Sequence, residues 1–95
     1  MRIVKEFIMR TVAGETILVP TGATAEEFNG MLTLTETAKV IWENLEKVDS
    51  LDEMVHVLTE QYEVDQETAK QDTVALVSEL LRIGFIECTK EDRTW

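Results

Sequence analysis

Cysteine, proline and histidine occur once each in this 95-residue sequence, and only four glycines accompany them. A single cysteine, Cys88, rules out an internal disulfide and fits a reduced, cytoplasmic setting. His56 stands alone between Val55 and Val57 with no further ligand or base at a recognisable spacing, so the sequence offers neither a metal site nor a catalytic histidine. The glycines at 14, 22, 30 and 84 are too scattered for a phosphate-cradling loop. No apolar run approaches the ~20 residues needed to cross a bilayer. Near the N-terminus, Arg2, Lys5, Glu6 and Arg10 leave no apolar run long enough for the central region of a secretory signal. Positive charge is also scarce: nine basic against nineteen acidic residues give a net charge of −10. Phosphate affinity comes largely from counterion release by Lys and Arg, so neither nucleic acid nor an anionic membrane is an expected partner.

What is present is ordinary globular material, 44% hydrophobic and 29% charged. The length predicts one domain over residues 1–95, burying roughly 60–65% of its unfolded surface. Phe7 to Val12 alternates as a strand, with Phe7, Met9 and Thr11 on one face. Ala13-Gly14 supplies a turn, and Glu15 to Val19 returns as the second strand, which Pro20 ends. Thr21 to Gly30 is small and polar and reads as a surface loop. Met31 to Leu34 is the third strand, fused with almost no slack to a helix. Thr33 with Glu36, or Thr35 by itself, would cap that helix, in which Ala38, Ile41, Trp42 and Leu45 recur at helical spacing. Ser50 with Glu53 opens a second helix carrying Leu51, Met54, Val55, Leu58 and Tyr62 on one face. Asp65 caps a third, which runs to about Ile83, and Gly84 suits the left-handed position after it, letting Phe85-Ile86 pack back. Lys90 to Trp95 is polar and expected to fray. Three strands followed by three short-looped helices make a compact α+β arrangement. The second and third helices resemble a helix-turn-helix, with the strands as its wing.

Catalytic chemistry finds little support. The adjacent carboxylates Glu26-Glu27, Asp52-Glu53 and Glu91-Asp92 read as solvated surface. Cys88 has no CxxC partner and reads as a small packed side chain. Trp42 and Tyr62 fall on apolar helical faces and read as core. No cofactor and no metal are expected.

Two features point instead to binding. The third strand, Met31, Leu32, Thr33 and Leu34, lies where a small sheet would end, with backbone groups free to pair with an added strand. On a helical wheel of the third helix, Ala69, Thr73, Leu76, Leu80 and Ile83 share a core-facing stripe. Val77, Leu81 and Val74 lie at about 80°, 120° and 140° from Ala69, next to Lys70 at about 100°. The flank formed by Lys70, Val74, Val77 and Leu81 would either line a groove or be covered by the strands. Between Asp65 and Arg82 the helix carries Asp65, Glu67, Asp72 and Glu79 against Lys70 and Arg82, which argues against its use as a DNA-reading element.

Leu34-Thr35-Glu36-Thr37-Ala38 followed by Ile41-Trp42 resembles the LNETA…IW signature of PqqD-like proteins (coenzyme PQQ synthesis protein D). Val12-Ala13-Gly14-Glu15, Gln61-Tyr62-Glu63-Val64-Asp65 and Glu79-Leu80-Leu81-Arg82-Ile83-Gly84-Phe85-Ile86 match further pieces in the same order, so the resemblance spans about residues 6–88. Thr35 replaces the usual asparagine and keeps the capping capacity. The resemblance implies a winged helix-turn-helix without catalytic activity, a recognition element for ribosomally made, post-translationally modified peptides. It implies a leader peptide added beside the third strand, with apolar side chains in a groove against the third helix, and delivery to a modifying enzyme such as a radical SAM maturase, as in PQQ biosynthesis. On that reading Met31, Leu32, Thr33, Leu34, Lys70, Val74, Val77 and Leu81 are the peptide-binding residues, and Lys70 would meet an acidic residue of the leader. The chain would act as a monomer or a strand-exchanged dimer. The alternative is a winged-helix transcriptional regulator or a general protein-interaction module.

Overall fold

A computed structural model describes residues 1–28, 30–93 and 95. Its elements in chain order are β1 (Arg2–Ile3), β2 (Phe7–Val12), β3 (Glu15–Pro20), α1 (Gly22–Glu27), β4 (Leu32–Leu34), α2 (Glu36–Asn44), α3 (Leu51–Gln61), α4 (Gln66–Arg82) and β5 (Ile86–Glu87). Strands β2, β3 and β4 form an antiparallel sheet in that order, and β1 pairs with β5 in a separate two-stranded sheet. The expected α+β architecture of a three-stranded sheet and three main helices is present, with β1, β5 and α1 in addition.

The hairpin turn carries two residues of positive φ, Ala13 at 52° and Gly14 at 81°. This is the backbone that a two-residue turn between right-twisted strands requires. The turn sets the register, Val12 opposite Glu15 and Phe7 opposite Pro20.

Each main helix starts at a side-chain cap. Ala38 N–H donates to Thr35 Oγ1 at 3.1 Å, so Thr35 rather than Thr33 is the cap of α2. Glu53 N–H donates to Ser50 Oγ at 3.2 Å, and Thr68 N–H to Asp65 Oδ1 at 2.8 Å. At the end of α4, Gly84 takes φ of 81°, Gly84 N–H reaches Leu81 O at 3.2 Å and Phe85 N–H reaches Leu80 O at 3.0 Å. That pair of bonds closes the helix and turns Phe85 and Ile86 inward, where both are buried.

The core gathers Leu18 and Leu34 from the sheet, Ile41 from α2 and Leu45 at its C-terminal cap, Met54 and Leu58 from α3, and Ala69, Val77 and Leu80 from α4. Each fully buried large aliphatic chain contributes about 1.5–3 kcal/mol relative to exposure. Phe7 stacks edge-on to Trp42 at 5.6 Å and packs against Phe85 at 4.7 Å. These contacts tie the inner face of the sheet to α2 and to the end of α4.

Three sequence expectations need correction. The span expected as a loop contains the short helix α1. Its Thr24 is 3% exposed and accepts a hydrogen bond from Glu6 N–H at 2.8 Å, a long-range contact that local polarity cannot announce. Within the C-terminal segment expected to fray, Thr94 lies outside the described residues, and Arg93 and Trp95 are held by contacts. Arg93 N–H donates to Asp49 O at 2.7 Å and Trp95 packs against the core, held through its indole N–H to Asp92 at 3.2 Å. Cys88 is exposed rather than packed.

Candidate functional site

Among the described residues strand β4 pairs with β3 alone and is therefore a sheet edge. Its outward backbone groups follow from the turn. In a two-residue hairpin the flanking residues, here Val12 and Glu15, exchange both hydrogen bonds, and bonded pairs then alternate along the strands. Glu15, Ile17 and Val19 thus spend their backbone groups on β2, and Thr16 and Leu18 turn theirs toward β4. Pro20 is consistent with this parity, since it sits opposite Phe7 in a pair that asks no N–H of it. Thr16 faces Leu34 and Leu18 faces Leu32. Leu32 and Leu34 accordingly bond to β3, and the N–H and C=O of Thr33 point to the open side. Leu34 is buried beneath the sheet, whereas the Thr33 side chain is exposed on the outer face and Met31, just before the strand, is 63% exposed. The free edge thus centres on Thr33.

The strand runs directly into α2, and a groove of about 510 Å³ opens at this junction. One wall is the first turns of α2 with its cap, Thr35, Thr37, Ala38 and Ile41; the other is Asp72, Ala75, Leu76 and Glu79 of α4. Its floor is apolar, from Ala38, Ile41 and Leu76, and its α4 rim is acidic. Glu79 is bound by Arg82, whose Nε donates at 3.0 Å, and the hydrogen bonds from this guanidinium hold the Glu79 carboxyl below its ordinary range.

The helical flank expected to line the groove lies elsewhere. Val74, Val77 and Leu81 line a separate cavity of about 120 Å³ with Met1, Leu51, Thr73, Cys88 and Trp95. On α4 the groove-facing residues lie on the opposite side of the core stripe from Lys70, with Asp72 about 160° away around the helix. Val77 is buried in the core at 4% exposure, whereas Val74, Leu81 and Lys70 are exposed. The structure therefore brings Met31, Leu32, Thr33 and Leu34 together at the edge, but does not join Lys70, Val74, Val77 and Leu81 to the same groove. The wheel favoured that flank because it is the more apolar one. The α2-facing flank, with Ala75 and Leu76 between two carboxylates, carries a weaker signal. Its clue was the junction of β4 with α2, which places Thr35, Thr37 and Ala38 beside whatever helix packs on α2.

Among the described residues no group of three or more His, Cys, Asp or Glu side chains is placed to hold a metal ion, and no helix is long and apolar enough to cross a membrane. His56 is exposed and contacts Glu60 at 2.9 Å.

Fold and site together define a small winged helix-turn-helix domain in which one of the two sheet edges, β4, lies beside an interhelical groove. The sequence model of the family described as Coenzyme PQQ synthesis protein D (PqqD) matches residues 15–86, and the chain belongs to this family. Among solved structures it is similar to TbiB1 in complex with the TbiA(beta) leader peptide, at 21% identity and a TM-score of 0.66, covering 92% of this chain and 95% of that one. At that identity the likeness speaks to the fold. No curated protein matches the chain.

Proposed function

We propose that this protein is a non-catalytic peptide chaperone that binds the leader segment of a ribosomally made precursor by strand addition and presents it to a modifying enzyme, such as a radical SAM maturase, in the cytoplasm. The observation that carries this reading is the outward N–H and C=O of Thr33 on a strand whose end opens into the groove between α2 and α4. An extended peptide laid along β4 would take up these backbone groups, which gives affinity tolerant of sequence. Its alternate side chains would reach toward Ala38, Ile41 and Leu76, which gives selectivity. Membership of the PqqD family supports the reading, as does the leader peptide held by TbiB1. A disordered leader loses conformational freedom on docking, so moderate affinity is expected.

The test is a titration of isotopically labelled protein with the leader of its precursor. Shifts centred on Met31 to Leu34, Thr37, Ala38, Ile41 and Leu76 are expected. Changes confined to α3 and the β1–β5 sheet would reject the reading. Thr33→Pro removes an outward donor without touching the β3 ladder, so it should leave the protein folded and weaken binding. Undiminished affinity in the folded variant would count against the edge.

A further inference from the structure

The groove differs in charge from what the sequence suggested. Its two rim charges, Asp72 and Glu79, are seven residues apart on α4, two helical turns or about 10 Å along the axis. Ala75 and Leu76 lie between them, facing Ala38 and Ile41 across the gap. Asp72 has no ion pair among the described residues, and Glu79 shares its charge with the exposed Arg82. The residues of α2 and its cap that line the groove are uncharged, the one lysine of that helix, Lys39, is not among them, and Glu36 answers the positive end of the helix within its first turn. Lys70, the cation first expected to meet the peptide, is on the far side of α4. The molecule as a whole, at net charge −10, has the same sign.

We infer that the peptide accepted by this groove is cationic, carrying a lysine or arginine flanking an apolar anchor residue, so that the anchor enters between Ala38, Ile41 and Leu76 while the basic side chain reaches Asp72 or Glu79. This rests on the peptide-binding reading above and adds the chemistry of the ligand. An acidic segment in the same position would face an unanswered carboxylate and a repulsive field. Attraction of this kind acts at the solvent-exposed rim, so binding should weaken as salt is raised.

The test is selection of a random dodecapeptide display library on the immobilised full chain, in parallel with the double variant Asp72→Asn, Glu79→Gln. Both side chains are exposed, and an unchanged circular dichroism spectrum verifies the fold of the variant. The expected result is enrichment of peptides with Lys or Arg beside an aliphatic or aromatic residue. Their affinity should fall several-fold in the double variant and again in high salt, and their amide footprint should centre on Thr33 and the groove. Neutral or acidic peptides with that same footprint would overturn the charge preference and leave the peptide-binding reading standing. A basic preference undiminished in the double variant would assign it to the general field of the protein and overturn the role of the rim. No enrichment, or a footprint away from β4 and the groove, would overturn the peptide-binding reading and the inference with it.

Discussion

Ala13 holds a left-handed backbone, φ 52°, that costs an L-residue with a Cβ free energy and that asparagine tolerates better. Ala13→Asn should stabilise the protein by about 0.5–1 kcal/mol without altering the hairpin, read as a raised urea midpoint at constant slope. Asp92 makes the opposite case. Burial pushes its carboxyl upward, but the Met1 ammonium, Thr89 N–H and the Trp95 indole outweigh this and hold it below its ordinary range. Because the anion gathers Met1, Thr89 and Trp95, Asp92→Ala should cost about 1–3 kcal/mol and release the amide of Arg93 to rapid hydrogen exchange. Asp65 is exposed, and its bonds to Thr68 lower its pKa. A carboxylate depressed by folding contributes stability above its unfolded pKa and loses it as pH falls through the folded one. Asp65→Asn should therefore flatten the acid limb of a stability–pH profile while leaving stability at neutral pH nearly unchanged, since asparagine also caps.

At the scale of elements, most of the fold was legible because its punctuation is local. Thr35, Ser50 and Asp65 announce three helix starts, Gly84 announces an end, and Ala13-Gly14 announces the hairpin. What escaped was set by tertiary contact. Strand β1 exists only through β5, and α1 is held by Thr24 under Glu6. Arg93 is held by Asp49 and Trp95 by Asp92. The site divided in the same way. The edge strand was readable from its place in the order of elements, since nothing in the sequence follows it as a fourth strand of that sheet. The groove was not, because which flank of α4 meets α2 depends on helix packing, and the more apolar flank turned out to lie against Met1, Leu51 and Trp95. Two substitutions separate the flanks. Ala75→Arg, at an exposed position in the groove, should lower peptide affinity at least tenfold while changing stability by no more than about 0.5 kcal/mol. Val74→Arg, on the other flank, should leave affinity unchanged. Calorimetric titration of both variants with the leader distinguishes them, and the reverse order would return the site to the Lys70 flank.

The molecule as a whole joins an acidic surface to a helix-turn-helix fold of the kind that can read DNA. The −10 charge and an α4 that carries more carboxylates than cations make phosphate a poor ligand. The same charge opposes edge-to-edge association of copies of a small protein with an open strand edge. Two ways of using that edge compete: pairing with a second copy, or leaving it for a peptide. The central claim is that the backbone of Thr33 is exposed in the free protein and becomes part of a ladder when a peptide docks. Hydrogen exchange of the Thr33 amide, with and without saturating leader, tests it most directly. Rapid exchange is expected in the free chain and strong protection in the complex, with the amides of Leu32 and Leu34 protected in both. A Thr33 amide that is already protected in the free monomer, or that continues to exchange freely at saturation, would contradict it.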